Sequence, residues 1–262
     1  MKRKSLSFLY MLTVGFLSAQ ENKHESVEMV TDRPDATESS RVVPKGTIQV
    51  ETGGFYESYK DMGVKSETWV YNTSLLRYGL LDNLELRLGW DVSESIVKGN
   101  NRTISAGKTT ISPLLFGVKL GITEEENGMP EIAFIGHLQL PFTASKVKRP
   151  ETTGVDFRFA LSHTLNEKSS IAYNLGAQWA DDSPEMAYVY TVAYGYSLSG
   201  KIAAFVELYG DLPENSNANH LWDAGVTYLL KPNLQLDASF GTSITEGQDI
   251  LLSAGLSFRL PN

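Results

Sequence analysis

Residues suited to nucleophilic or metal chemistry are few and scattered in this sequence. Cys is absent, and the four His residues, His24, His137, His163 and His220, lie far apart along the chain. Ser162 adjoins His163, but neighbouring side chains of a strand point to opposite faces. A nucleophile and its base must lie within hydrogen-bond reach, and no G-x-S-x-G motif is present. We therefore predict no catalytic site, no metal site and no cofactor.

Charged residues, in contrast, recur at a regular spacing. In residues 84–92 (LELRLGWDV), apolar residues alternate with Glu85, Arg87 and Asp91. A period of two places the charges on one face of a strand and the apolar side chains on the other. Such residues could line a polar surface, and strands must position them. The same alternation recurs at residues 155–161, 234–240 and 250–260.

The alternating runs predict an all-β fold of about twelve strands. Most are longer than the roughly five or six residues of soluble strands and match the roughly nine to eleven that cross a bilayer. The phase of the second strand is ambiguous, because Trp69 and Tyr71 compete with Val70 and Tyr78 for the apolar face. The predicted strands are 47–59, 67–80, 84–95, 109–122, 131–142, 153–165, 170–181, 186–198, 201–210, 220–230, 233–243 and 249–260.

The connections alternate in length. Short turns rich in Gly, Asn, Asp and Pro lie at 81–83, 166–169, 199–200 and 231–233. Longer polar links lie at 96–108, 143–152 and 211–219, whereas 123–129 and 182–185 fit the alternation less well. This asymmetry predicts a transmembrane antiparallel up-and-down β-barrel with short periplasmic turns and longer extracellular loops. A soluble periplasmic β-sandwich is the alternative, with its apolar face inside.

The N-terminus has the layout of a secretory signal peptide. Lys2, Arg3 and Lys4 precede an apolar run at 5–16, and cleavage is expected near Ala19 or Gln20. Removing these three basic residues from the total of 23 leaves 20 against 31 acidic residues, a net charge of −11. Nucleic-acid binding, which depends on Lys and Arg, is not expected. We predict a signal peptide at 1–20, a polar periplasmic segment at 21–46 and a barrel at 47–262.

Several stretches also carry a family resemblance: TDRPD at 31–35, VPKG at 43–46, the second hairpin at 77–90, LLFGVKLGI at 114–122 and LQLPFTAS at 138–145. Together they resemble the outer-membrane transporter family named after the phenol-degradation (MetA) pathway. The resemblance implies an outer-membrane barrel that passes small molecules, without fixing the solute. Such barrels usually end in an aromatic residue, whereas this sequence continues beyond Phe258.

If the barrel closes, the polar faces of its strands line a lumen. The polar 31–40 stretch (TDRPDATESS) begins beneath it. We predict that Asp32, Arg33 and Asp35 plug or constrict the pore through charge-assisted bonds to Arg77, Arg87, Glu85 or Arg259 near the periplasmic end. A disordered leader is the alternative. The lining contains eight acids and five bases, which favours cations or neutral solutes. The predicted pore-lining residues are Glu51, Arg77, Glu85, Arg87, Asp91, Lys119, Glu131, His137, Asp156, Arg158, Glu207, Asp223, Asp237 and Arg259.

The function predicted from these patterns is passive passage of small solutes through the outer membrane of a Gram-negative bacterium. An outer-membrane lipid hydrolase and a structural or adhesive barrel without transport are the alternatives. The expected partners are outer-membrane lipid, an unidentified small solute and the barrel assembly machinery during biogenesis.

Overall fold

The structure, a computed structural model, describes residues 28–99, 102–180, 182–245 and 247–260. The predicted signal peptide and residues 21–27 lie outside the described residues. Two 3-10 helices, Pro141–Thr143 and Lys146–Lys148, accompany the strands. The strands are β1 Ile48–Asp61, β2 Val64–Leu81, β3 Leu84–Gly99, β4 Arg102–Ala106, β5 Thr110–Ile111, β6 Leu114–Thr123, β7 Glu131–Leu140, β8 Gly154–Asn166, β9 Ser169–Trp179, β10 Met186–Ser197, β11 Ile202–Pro213, β12 Asn219–Lys231, β13 Leu234–Ser243 and β14 Gln248–Leu260.

Antiparallel pairing closes the sheet on itself. β1 pairs with β2 and also with β14, so that Ile48 lies opposite both Tyr78 and Leu260. β3 pairs with β2 on one side and with β6 on the other, while β4 and β5 pair only with β3. Twelve strands therefore form the closed wall, with β4 and β5 as extensions of it. The predicted all-β barrel of about twelve strands is confirmed.

The distribution of polar and apolar side chains is the reverse of that in a soluble protein. Glu85 and Lys119 are both 0% exposed, whereas Val226 is 50% and Phe240 55% exposed. The alternation therefore points charged side chains into the barrel and apolar side chains out. This arrangement is typical of membrane barrels, and the soluble sandwich alternative is wrong. Within the described residues, no helix is long and apolar enough to span a membrane.

The two ends of the barrel differ. At the end where β1 begins and β14 ends, called here the terminal end, most connections are short, as at residues 82–83, 167–168 and 232–233. The opposite end, called the loop end, carries longer links. They are the connection from β3 to β6, which contains β4 and β5, and residues 141–153 and 214–218. At the terminal end, the 124–130 link is longer, but Glu126 and Met129 pair across Asn127 and Gly128.

Some boundaries differ from prediction for identifiable reasons. The single strand predicted at 109–122 is divided, because Pro113 has no N–H to donate to the ladder. At the loop end, β1 and β2 continue to a two-residue turn at Met62 (φ 43°) and Gly63 (φ 81°). Positive φ at both positions matches the right-handed strand twist. This turn extends the hairpin beyond the predicted strands.

A bulge in β2 explains its ambiguous phase. Trp69 and Tyr71 are exposed on the outer face, and the pairing with β3 shifts between Val70 and Asn72. Beyond the shift, Thr73 and Leu75 line the lumen. An extra residue in one strand changes which alternate positions face inward. Each of the two competing phases therefore applies to one half of the strand.

The barrel orientation predicts a position-dependent cost for a charge on the outer wall. Val226 lies near the middle of β12, so Val226→Arg should lower the free energy of unfolding by about 2–4 kcal/mol in lipid vesicles. Met62→Arg, in a turn where Met62 is 97% exposed, should change it by less than about 0.5 kcal/mol. Urea titration followed by Trp fluorescence measures both. Equal effects would contradict a lipid-facing Val226.

Candidate functional site

The lumen is occupied by residues 28–46, called here the lumenal segment. Its backbone donates hydrogen bonds to side chains of several wall strands instead of forming regular structure. Because buried N–H groups require acceptors, these bonds allow an irregular peptide to lie inside the barrel. The donors and acceptors are Asp32 N to Glu51 Oε2 (2.9 Å), Ala36 N to Glu207 Oε2 (2.7 Å), Glu38 N to Asn174 Oδ1 (2.8 Å) and Val43 N to Glu85 Oε2 (2.9 Å).

Asp32 is the centre of a buried ion network. Its Oδ2 lies 2.8 Å from Arg87 Nη1, 2.9 Å from Lys119 Nζ and 3.2 Å from Arg77 Nη1. All four side chains are at most 3% exposed. Ser39 of the lumenal segment adds bonds from its N and Oγ to Asp32 Oδ1 (2.8 and 2.7 Å). One carboxylate thus joins the segment to β2, β3 and β6.

The wall contributes further acids to the same network. Arg77 pairs with Glu51 and Glu85 at 2.8 Å each, and Arg87 pairs with Glu85 at 3.1 Å. From the segment, Glu38 Oε2 lies 2.6 Å from Arg87 Nη2. Removing one member of a buried ion pair leaves an uncompensated charge, which is strongly destabilising. The segment and the wall therefore stabilise each other.

Arg33 reaches a different part of the wall, formed by β13 and β14. Its Nη2 lies 2.9 Å from Asp237 Oδ1 on β13 and 3.2 Å from Ser253 Oγ on β14. The guanidinium passes over the cross-strand pair Gly53 and Gly255. A Cβ on Gly53 would come 2.6 Å from Arg33 Nη2, and one on Gly255 would come closer. These glycines leave space for Arg33 to reach Asp237. Its partner is therefore Asp237 and not Glu85, which the sequence had suggested.

Asp35 is placed differently from the sequence-based expectation of an Arg partner. Among the described residues it takes part in no ion pair. The next residue, Ala36, is bound through its N–H to Glu207, and Glu207 lies opposite Asp223 in the sheet. Thr37 Oγ1 also donates to Glu207. Asp35 of the lumenal segment therefore lies beside an acidic region that Glu207 of β11 and Asp223 of β12 form.

The remaining predicted lining residues lie in two groups. Asp91, His137, Asp156 and Arg158 line a loop-end cavity of about 530 Å3. Within it, Asp156 Oδ1 lies 3.2 Å from His137 Nδ1 and 3.4 Å from Arg158 Nε. Near the terminal end, Glu131 Oε2 lies 3.3 Å from Arg41 Nε, and Arg259 Nη1 donates to Glu28 O at 3.3 Å.

Sequence reasoning missed several uncharged contacts. Asn174 Nδ2 donates to Glu38 O at 2.9 Å, and Thr191 Oγ1 lies 2.7 Å from Thr37 Oγ1. Gln49 Nε2 donates to Val30 O at 2.8 Å. Thr191 shares the inward face of β10 with Ala187, Val189 and Ala193, so no alternation of polar and apolar residues marked it. These contacts were missed because only charged and His residues were taken as candidates for the lining.

The lumenal segment separates cavities at the two ends. A second loop-end cavity, of about 560 Å3, shares Asp32, Asp35 and Ala36 with the first. On the terminal side, a cavity of about 250 Å3 is lined by Ser40 and Val42 together with wall residues 82–83 and 121–124. The segment thus lies across the axis between the larger cavities and the terminal end.

The side chains of Ser162 and His163 point to opposite faces of the wall. Ser162 Oγ lies 2.8 Å from Ser40 Oγ of the lumenal segment. His163 instead packs against Tyr173, with Nε2 3.4 Å from the phenol oxygen. The two side chains therefore have different environments, as alternation requires.

The ion network predicts that Asp32 holds the segment in place. Thr37 is 4% exposed, and a Cys introduced there by Thr37→Cys is unique because the chain has none. Adding Asp32→Ala should raise its maleimide labelling rate at least about tenfold, since about 1.4 kcal/mol of lost stabilisation corresponds to that factor. Glu28→Gln, at an exposed residue, is the control. Unchanged labelling with Asp32→Ala would show that the network does not retain the segment.

Comparison with known proteins gives consistent results. The COG4313 outer membrane channel from Pseudomonas putida F1 aligns with a TM-score of 0.65 and 15% identity, covering 84% of this chain and 97% of that one. The transport unit of the autotransporter AIDA-I from Escherichia coli (TM-score 0.52, 9% identity, 82% and 90% coverage) and NanC porin (0.51, 8%, 80% and 98%) also match.

These similarities show the fold, which is that of outer membrane β-barrels. No curated protein sequence matches the chain. The model of one family, described as "Putative MetA-pathway of phenol degradation", matches residues 31–260. The matched region includes the TDRPD stretch and all the wall strands. The chain therefore belongs to this family.

Proposed function

We propose that this protein is a passive outer-membrane channel for small solutes, with the lumenal segment as its constriction. The observation that carries the proposal is the position of Asp32, bound to Arg77, Arg87 and Lys119 inside the wall. A polar, enclosed lumen with cavities open toward the loop end suits water-soluble solutes better than lipids. Similarity to channels and porins supports transport over catalysis.

The proposed setting follows from the same features. Residues 1–20 direct export and are removed, and the barrel resides in the outer membrane of a Gram-negative bacterium. The terminal end faces the periplasm, since short turns lie on that side of such barrels. Outer-membrane lipid contacts the wall, a small solute enters the lumen, and the barrel assembly machinery inserts the chain.

Deleting residues 31–40 tests the constriction. The deletion removes Asp32, Arg33, Asp35 and Glu38, so single-channel conductance of the refolded protein should rise severalfold. A heat-dependent gel shift should first show that the variant still forms a barrel. Deleting residues 214–218 from a loop-end connection is the control for shortening the chain outside the lumenal segment and should leave the conductance near wild type. Conductance unchanged by the 31–40 deletion would show that the segment does not constrict the pore.

The charge of the lumen predicts selectivity. The lining assigned from the sequence contains eight acids and five bases, so reversal potentials in a KCl gradient should favour K⁺ weakly. The 31–40 deletion removes three acids and one base and leaves Arg77, Arg87 and Lys119 without Asp32. Its reversal potential should therefore move toward that of Cl⁻. Anion preference in the unmodified channel would contradict this assignment.

A further inference from the structure

The larger loop-end cavity combines carboxylates with aromatic rings. Asp35, Asp223 and Glu57 line it together with Phe55 and Tyr209. Tyr59 also borders it, and its volume of about 560 Å3 lies within the roughly 300–1,000 Å3 of small-molecule sites. Carboxylates beside aromatic faces are the groups that recognise organic cations.

Asp223 supplies an unused acceptor. The residue is 2% exposed, and its Oδ1 has no hydrogen-bond partner although it borders the cavity. An ionised carboxylate in such a place is costly without a counter-charge. Among the described residues, neither Asp223 nor its cross-strand neighbour Glu207 forms an ion pair. The protein thus places carboxylate groups here without supplying a matching cation.

The two basic residues that border the cavity each lie beside an acid other than Asp35 and Asp223. Arg33 pairs with Asp237 at 2.9 Å, and Arg158 lies 3.4 Å from Asp156. They do not neutralise the acidic side around Asp35 and Asp223. Among the described residues, no group of His, Asp or Glu is arranged to hold a metal ion. The missing counter-charge is therefore better supplied by a larger cation.

We infer that this cavity binds small organic cations, an ammonium group with an aromatic or apolar body. The ammonium lies against Asp223 and Asp35, and the body packs on Tyr209 and Phe55. The inference rests on the proposed channel function in one respect: the cavity is then a binding site on the solute path, directly before the constriction.

Binding of benzyltrimethylammonium to the detergent-solubilised protein tests the site, measured by calorimetry in mildly alkaline buffer. Facing carboxylates tend to share a proton, and such a buffer helps to remove it. Benzyl alcohol, which has the ring without the charge, should bind far more weakly. Asp223→Asn should weaken binding of the cation about tenfold, equivalent to about 1.4 kcal/mol. Tyr209→Leu should weaken it as well.

Asp91→Asn is the matched control, because it removes one lumenal carboxylate from the other loop-end cavity. It should leave the affinity near that of the unmodified protein. Equal losses in Asp91→Asn and Asp223→Asn would mean that only the general negative potential attracts the cation, and equal binding of benzyl alcohol would mean that the cavity does not recognise charge. Either result overturns the inference.

The binding assay does not depend on transport. If the protein binds the cation saturably but conducts no ions, the binding site is supported and the channel function is rejected. Conductance that rises after deletion of residues 31–40, without cation binding to the unmodified protein, would support the channel and reject the site. The two failures are therefore distinguishable.

Discussion

Charges enclosed by a closed wall must be matched inside that wall, and this electrostatic requirement underlies the rest of the structure. Twelve strands direct their polar faces inward, and the lumen gathers Arg77, Arg87 and Lys119 on adjacent strands. Glu51 and Glu85 neutralise part of this charge, and Asp32 reaches all three bases. Because a buried unpaired charge is costly, the wall and the lumenal segment require each other. The polar segment, unsuited to any apolar core, is thus part of the barrel interior.

The remaining features of the lumen allow this segment to lie across it. Backbone amides that would be unsatisfied in an irregular peptide donate to Glu51, Glu85, Asn174 and Glu207 on four different strands. The Gly53–Gly255 pair leaves room for the side chain of Arg33. The segment is therefore fixed at several positions around the wall. Its location separates the loop-end cavities from the terminal end, which is the basis for assigning it as a constriction.

The charge is not distributed evenly around the lumen. The side formed by β2, β3 and β6 carries bases that are paired with acids. On the side formed by β11 and β12, Glu207 and Asp223 have no basic partner among the described residues. Asp35 adds to the acidic side. In the proposed channel, a solute entering from the loop end would meet this acidic, aromatic side before it reaches the segment. Such a channel would discriminate by charge and by ring-shaped apolar surface, and not by size alone.

The sequence by itself determined the class of fold, the approximate number of strands and the alternation that separates charged from apolar side chains. These features follow from a period of two and from turn residues, which act over a few positions. It also placed Asp32 among the bases Arg77 and Arg87. Only the tertiary structure decided that Arg33 pairs with Asp237, that Asp35 lies beside Glu207, and that a bulge at Tyr71 changes the phase of β2. Arg33 and Asp237, for example, are about 200 residues apart in the sequence. Local patterns do not encode distances across a lumen. Barrel closure and strand register set those distances, so both had to be known before the partners could be assigned.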